Sequence, residues 1–139
     1  MRSSVITLAL GTAGVAMLAA CGGGSTSPYG GGGGGGGGGS CTPSATKVCM
    51  ANTLFNPTTL TVSSGATVSW QNADAFGHTA TSNPSNPAGC PSWNVSVGAG
   101  TTSGGTALTA SATPVTCQYY CSIHATPTTG AMRASITIQ

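Results

Sequence analysis

Short runs of alternating apolar and polar residues, separated by turn residues, fill the chain from position 41 to its last residue, 139. In five runs an apolar residue recurs at every second position: Val48/Met50, Leu60/Val62, Val68/Trp70, Trp93/Val95/Val97 and Ile136/Ile138. This period places one face of each strand in a core and the other towards solvent. Turn pairs such as Asn56-Pro57 and Ser64-Gly65 separate the runs. The pattern predicts an all-β fold, either a two-sheet sandwich or a Greek-key barrel.

Ten consecutive glycines, residues 30–39, precede this region. Glycine loses more backbone entropy on ordering than any other residue, and it offers no side chain to bury. Residues 22–40 are therefore predicted to be a random-coil linker, with a typical end-to-end span of about 25 Å for a Gly-rich chain of this length. The folded domain is predicted to occupy residues 41–139.

The first 20 residues have the features of an export signal. Arg2 precedes an apolar run, residues 5–17, which is too short for an ordinary transmembrane helix. The run ends in Leu-Ala-Ala before Cys21, which resembles the lipobox of bacterial lipoproteins. The resemblance implies that Cys21 carries a diacylglycerol group and becomes the first residue of the mature protein. The alternative is an ordinary signal peptide that leaves Cys21 as a free thiol. We expect an extracytoplasmic location, periplasmic or on the cell surface, with a lipid anchor in the membrane.

Charged side chains make up only 3% of the chain: Arg2, Lys47, Asp74 and Arg133. A single carboxylate excludes acid–base catalysis by a carboxylate pair, and the absence of a basic patch excludes nucleic-acid binding. With three charged side chains in the predicted domain, we expect a protein partner to dock with little electrostatic steering.

A group of potential metal ligands lies near the C-terminus. Cys121 and His124 are separated by two residues, and Met132 precedes the last alternating run. Thiolate, imidazole and thioether together form a donor set that suits copper. His78 lies beyond an earlier strand, and Met50 alternates into the predicted core, which leaves Met132 as the available thioether. The sequence therefore predicts a copper site.

These motifs resemble those of the cupredoxins, the plastocyanin-like type 1 blue copper domains. The similarity covers nearly the whole predicted domain, in this order: Phe55, Pro57, Leu60, Val62, Gly65, Val68, Trp70, Asn72, Asp74, His78-Thr79, Tyr120-Cys121-Ser122-Ile123-His124 and Gly130-Ala131-Met132. It implies a cupredoxin-like Greek-key β-sandwich or barrel that binds one type 1 copper ion. It also implies that His78, Cys121 and His124 are equatorial ligands and that Met132 is the weak axial ligand. Seven residues separate His124 from Met132, more than in typical family members.

Four further cysteines are candidates for disulfide bonds: Cys41, Cys49, Cys90 and Cys117. Four cysteines allow three pairings, and disulfides are typical of an oxidising compartment. Cys49 lies between two inward-facing residues, so we expect its side chain to point outward, within reach of Cys41. Cys117 is then expected to pair with Cys90.

A rival interpretation places Cys117, Cys121, His124 and His78 around a tetrahedral zinc ion. Two residues four positions apart on an extended strand are about 13 Å apart, which is too far for one ion. A zinc site would therefore require a bent strand.

The resemblance to the cupredoxins implies an electron carrier and not an enzyme, and the resemblance to the lipobox implies that this carrier is tethered to a membrane. Its copper would cycle between Cu(I) and Cu(II) as electrons pass between extracytoplasmic redox partners. Two histidines cannot supply a trinuclear cluster in addition to a type 1 site, which excludes multicopper oxidase chemistry. The main alternative is a non-redox periplasmic lipoprotein that stores or delivers copper through the same ligands, and a structural lipoprotein with an empty site ranks last. We expect a monomer, and we expect Arg133, next to Met132, to raise the reduction potential.

Overall fold

The computed structural model describes residues 39–139, which form nine β-strands. The predicted signal peptide, Cys21 and residues 22–38 of the predicted linker lie outside the described residues. The strands are β1 (Lys47–Ala51), β2 (Leu54–Asn56), β3 (Thr59–Val62), β4 (Ala66–Asn72), β5 (His78–Ser82), β6 (Asn94–Val97), β7 (Thr106–Leu108), β8 (Val115–Tyr120) and β9 (Arg133–Ile138). Within residues 39–139 there is no helix of sufficient length and hydropathy to cross a membrane.

The strands form two sheets, ordered β2-β1-β4-β7 and β3-β9-β8-β5-β6. The pairs β1/β4 and β3/β9 are parallel, and the other paired strands are antiparallel. Strands that neighbour each other in a sheet are mostly not consecutive in the chain, so the connections cross between the sheets. This arrangement confirms the all-β prediction and matches the cupredoxin-like sandwich.

The core lies between the two sheets and follows the alternation seen in the sequence. Val48, Met50 and Trp70 are fully buried, and so are Ile136 and Ile138. The rings of Phe55, Trp70, Trp93 and Tyr119 form a cluster with centroid distances of 4.7 to 6.4 Å between its contacting pairs. Burying large aromatic side chains contributes much of the stability of a core of this size.

Two disulfides, Cys41–Cys49 and Cys90–Cys117, join the four candidate cysteines in the expected pairing. Cys49, which was expected to point outward within reach of Cys41, is bonded to Cys41 but is only 1% exposed. The sulfur of Cys49 is therefore shielded from solvent although it forms the disulfide with Cys41. The amide of Gln71, on the neighbouring strand, donates to the carbonyl of Ser40 and helps to hold the segment before Cys41 in place.

The register of β5 against β8 positions the candidate ligands. Thr81 pairs with Tyr120 and Ser82 with Tyr119 in antiparallel order. In the same order, the start of β5 lies opposite the residues that follow β8. His78 begins β5 and Cys121 follows β8 directly, so the two residues lie side by side at one end of the sheet.

Candidate metal centre

Three side chains bring their donor atoms to one point at this end of the sheet: His78, Cys121 and His124. The two Nδ1 atoms are 3.2 Å apart, and the Sγ atom lies 3.4 Å from Nδ1 of His124 and 3.7 Å from Nδ1 of His78. A triangle with these three sides has its circumcentre about 2.0 Å from each atom, close to the ~2.0–2.1 Å of metal–imidazole bonds. The three atoms are therefore close enough together to bind one metal ion jointly.

Met132 is also next to this group. Its carbonyl accepts a hydrogen bond of 3.0 Å from the backbone N–H of Cys121, and its side chain is fully buried. The structure thus brings all four predicted site residues to one end of the sandwich. The donor atoms of His78, Cys121 and His124 lie together, and the backbone of Met132 lies next to Cys121.

The orientation of His78 is set by Asp74, four residues earlier. Nε2 of His78 lies 2.8 Å from Oδ2 of Asp74. An ionised carboxylate can only accept hydrogen bonds, so Nε2 carries the ring proton and Nδ1 keeps a free lone pair. A carboxylate that accepts from the distal nitrogen is a common way to orient a metal-binding histidine. The ring of His78 is therefore held with the correct nitrogen towards the other two donors.

Asp74 is itself held by the turn between β1 and β2. Its two carboxylate oxygens accept the backbone N–H groups of Asn52, at 2.7 Å, and Thr53, at 3.0 Å. Both turn residues have positive φ, 54° and 60°, which is uncommon for non-glycine residues but is what a two-residue hairpin turn requires. Burial alone raises the pKa of Asp74, but the hydrogen bonds from Thr53, His78 and Asn52 outweigh this effect, and the pKa lies below its ordinary value of 3.8. Asp74 is therefore ionised at neutral pH.

Asn72 fixes the segment that carries Asp74. Its side-chain amide donates to the carbonyls of Phe76, Val97 and Gly98, and its Oδ1 accepts the N–H of Asp74. Asn72 is only 1% exposed, so these bonds are shielded from water. They hold residues 73–77 against the chain that follows β6.

The sulfur of Cys121 accepts a hydrogen bond of 3.3 Å from the backbone N–H of Thr79. The hydroxyl of Thr79 accepts the N–H of Ser122 at 2.8 Å and lies 3.0 Å from the Ser122 hydroxyl. Thr79, which follows His78, therefore bonds both Cys121 and Ser122 and joins the two segments that carry the candidate ligands. The thiolate is the form of cysteine that binds metals, and the N–H of Thr79 fixes the position of this sulfur.

His124 differs from His78 in its surroundings, because it is half-buried and lies in the loop after β8. The ring of Phe76 contacts both imidazoles, with centroid distances of 5.0 Å to His78 and 5.5 Å to His124. Phe76 is 48% exposed and Ile123 is 60% exposed. His124 therefore reaches the surface between two exposed apolar side chains.

The donor set excludes the tetrahedral zinc arrangement considered from the sequence. Cys117 forms the disulfide with Cys90, so it has no thiolate to offer, and Cys121 is the free cysteine among residues 39–139. Two imidazoles and one thiolate, with a methionine close by, match the trigonal site with a weak axial thioether that is typical of copper.

The roles of Asp74, Asn72, Thr79 and Phe76 in the site were not predicted from the sequence. One signal for Asp74 was available, since it is the only acidic residue in the chain and lies four positions before His78. The other three act through hydrogen bonds to backbone and side-chain groups or through ring contacts, which leave no distinctive spacing in a sequence.

A family model described as copper binding proteins, plastocyanin/azurin family, matches residues 42–139. The chain belongs to this family. The cofactor of this cupredoxin is one copper ion, and its general function is copper-based electron transfer. A search of curated proteins finds no significant match.

Solved structures show the same fold. A reduced Cu(I) form of an amicyanin variant has 20% identity and a TM-score of 0.52, covering 71% of this chain and 86% of its own. A purple cupredoxin from Nitrosopumilus maritimus has 20% identity and a TM-score of 0.52, covering 68% and 99%. A copper-containing nitrite reductase from Thermus scotoductus has 23% identity and a TM-score of 0.52, over 71% of this chain but only 23% of the reductase. At these identities the similarity establishes the fold.

Proposed function

We propose that this cupredoxin is a single-electron carrier, tethered to the extracytoplasmic face of a bacterial membrane by a lipid on Cys21, with His78, Cys121 and His124 as equatorial copper ligands and Met132 as the axial one. The convergence of two imidazoles and one thiol within 4.8 Å carries the proposal. The Leu-Ala-Ala-Cys sequence before a glycine-rich linker supports the lipid anchor.

The protein's part in electron transfer is to keep these ligands in place. When bound, copper supplies a one-electron couple between Cu(I) and Cu(II), and a trigonal set of two nitrogens and one sulfur suits both states. Asp74 fixes the ring of His78, and Thr79 fixes the sulfur of Cys121. Because each of these groups has its own hydrogen-bond partner, little has to move when an electron arrives.

The surface around His124 supports its role as the point where electrons enter and leave. Among residues 39–139, the large apolar side chains that are exposed are Leu54, Phe76 and Ile123, and two of these three flank His124. We propose that a redox partner docks on this uncharged surface as a short-lived complex and that the carrier works as a monomer. Exposed apolar side chains next to a functional group are typical of interaction sites.

Two cysteine variants of the full chain test the two parts of the proposal separately. Cys121→Ser should abolish the blue charge-transfer band and the type 1 EPR signal that appear on adding Cu(II), while the protein stays in the membrane fraction. Cys21→Ser should keep both spectra and move the protein out of the membrane fraction. Each variant is the control for the other, since each replaces one cysteine outside the disulfides by serine.

The outcomes also separate the carrier from a copper store. An intense blue band with rapid, reversible reduction supports the carrier. A colourless protein that binds only Cu(I) would support storage or delivery by the same ligands. An unchanged spectrum in Cys121→Ser would overturn the assignment of the site.

A further inference from the structure

The loop between the last two strands, residues 122–131, carries His124 and leads into Met132; we call it the ligand loop. Its tip is organised by local hydrogen bonds. The N–H of Thr126 donates to the carbonyl of Thr129 at 2.8 Å, and the hydroxyl of Thr126 accepts the N–H groups of Thr128 and Thr129. These bonds shape the tip, but they connect residues only two or three positions apart and do not attach it to the sheet.

The base of the ligand loop is closely packed. Gly130 has φ of +100°, and a Cβ there would lie 2.8 Å from Cα of Ala125 and 3.1 Å from the carbonyl oxygen of His124. Only glycine at position 130 allows the two ends of the loop to lie this close together. The tip therefore projects from a narrow base and needs contacts of its own to stay in one position.

Two side chains from outside the loop supply those contacts. The amide of Asn83 donates to the carbonyl of Pro127 at 2.9 Å, and the guanidinium of Arg133 donates to the carbonyl of Thr128 at 3.0 Å. These are consecutive carbonyls at the tip. Oε1 of Gln118, on β8, lies 3.5 Å from both donor groups and brings them to the same place.

Asn83 is well placed for this role because it is itself fixed. It is 8% exposed, and its Oδ1 accepts the N–H of Ser85 at 2.9 Å. The segment that follows is attached to β8, since the side chain of Asn86 bonds both the N–H and the carbonyl of Gln118. The Cys90–Cys117 disulfide ties the same segment to β8 covalently. The segment therefore connects the disulfide to the tip of the ligand loop.

We propose that Asn83 and Arg133 are positioning residues that hold the ligand loop in the conformation presenting His124 and Met132 to the metal. This inference rests on the proposed copper site, because it is that site which makes the position of the loop matter. It explains how the unusually long segment between His124 and Met132 is held in one conformation. It also gives Arg133 a role that does not depend on its distance from copper.

Hydrogen–deuterium exchange of the full-length metal-free and Cu(I)-loaded protein tests the proposal. Asn83→Ala and Arg133→Gln each remove one hydrogen bond to the ligand loop. Loss of one such bond of ordinary strength should speed exchange of the amides in residues 124–129 roughly five- to tenfold. Exchange in β1 and β4 should stay unchanged and show that the fold is intact. The reduction potential should move in Asn83→Ala, although this substitution changes no charge.

Asn86→Ala is the matched control, since it removes two hydrogen bonds from the same segment but none to the ligand loop. It should leave both the loop exchange and the potential at wild-type values. Unchanged loop exchange in Asn83→Ala, or an equal acceleration in Asn86→Ala, would overturn the proposal. A potential that moves in Arg133→Gln but neither in Asn83→Ala nor in Arg133→Lys would show that Arg133 acts through its charge alone.

The experiment distinguishes this inference from the proposed function. Exchange in the metal-free protein reports on the loop whether or not copper binds. A chain that failed to give a type 1 copper spectrum would contradict the proposed function, while the loop exchange would still decide the role of Asn83 and Arg133.

Discussion

The two histidines of the site offer the same atom, Nδ1, to the same point, but from different surroundings. His78 begins a strand, is 1% exposed and bonds Asp74, which is anchored in the turn between β1 and β2. His124 lies in a loop, is half-buried and packs beside the exposed ring of Phe76. We call His78 and Asp74, with the turn that holds Asp74, the strand side of the site. We call His124 and the loop that carries it, with the ring of Phe76, the loop side.

The difference between the sides suggests a division of work. On the strand side, a ligand and its hydrogen-bond partner are fixed by the sandwich itself, so the geometry of the site is set there. On the loop side, a ligand reaches the surface, so access for partners is provided there. Preorganised groups on rigid elements keep a functional geometry constant, while loops carry the contacts that vary.

The largest expected difference between the sides is in ligand replacement. His78→Gly and His124→Gly should both lose the blue copper spectrum. Added imidazole should restore a similar spectrum in His124→Gly, because a half-buried side chain leaves a cavity open to solvent. It should not do so in His78→Gly, whose cavity is enclosed. Optical titration with imidazole and Cu(II) measures both, and equal restoration in the two variants would remove the distinction.

The two disulfides should contribute unequally to stability, because they close loops of different length. Their sequence separations are 27 for Cys90–Cys117 and 8 for Cys41–Cys49. The chain-entropy relation gives about 3.5 kcal/mol for the longer loop and about 2.5 kcal/mol for the shorter. Urea unfolding of the Cys90→Ser/Cys117→Ser and Cys41→Ser/Cys49→Ser variants compares them.

Replacing Asp74 should weaken the strand side and remove part of its acid sensitivity. Asp74→Asn loses a charge-assisted bond to His78 and weakens two to the turn, at a cost of about 2 kcal/mol in unfolding free energy at pH 7. Because the pKa of Asp74 is lower in the folded chain than its ordinary 3.8, its contribution is fully present above the unfolded-state pKa and is lost as pH falls through the folded-state pKa.

Thermal unfolding at pH 7 and pH 3 checks the sign of this effect. The gap between wild type and Asp74→Asn should be largest at pH 7 and should narrow towards pH 3. A gap that widened on acidification would show that Asp74 does not stabilise the fold through its ionised form.

The smallest expected effect is that of salt on the loop side. The charged side chains among residues 39–139 are Lys47, Asp74 and Arg133, and the carboxylate of Asp74 is directed inward to His78. Electron self-exchange should therefore change by less than about twofold between low and physiological ionic strength. Phe76→Ala should slow self-exchange more than salt does, and stopped-flow or NMR line broadening measures both. A steep salt dependence would contradict docking on an uncharged surface.

Much of the sandwich could be predicted from the sequence, because its core strands alternate strictly. The runs at 48–50, 60–62, 68–70 and 136–138 became β1, β3, β4 and β9. Strands β2 and β7 have three residues each, too few to establish a period, and β5 reads His-Thr-Ala-Thr-Ser with little apolar contrast. These strands exist because neighbouring strands pair with them, which is a property of the assembled sheets.

The candidate ligands could be predicted because the chain has only two histidines and because Cys121, His124 and Met132 lie close together in the sequence. Their supports could not be predicted, because common residues act there across long sequence separations. Asn83 bonds Pro127 over 44 residues, and Asn52 bonds Asp74 over 22. The burial of Cys49 could not be predicted either, although its bond to Cys41 was expected. Alternation within one strand gives the direction of a side chain, and the tertiary fold decides whether anything covers it.

The burial of Cys121 has a consequence for how the protein matures. In the folded chain its thiol is inaccessible, and the other four cysteines among residues 39–139 are already paired. While the chain is unfolded in an oxidising compartment, however, Cys121 can form a wrong bond with Cys117, four residues away, or with Cys90. Correct folding and pairing therefore protect the copper-binding sulfur from oxidation. Maturation should proceed in a fixed order, with the two disulfides formed first and the metal bound afterwards by a finished fold.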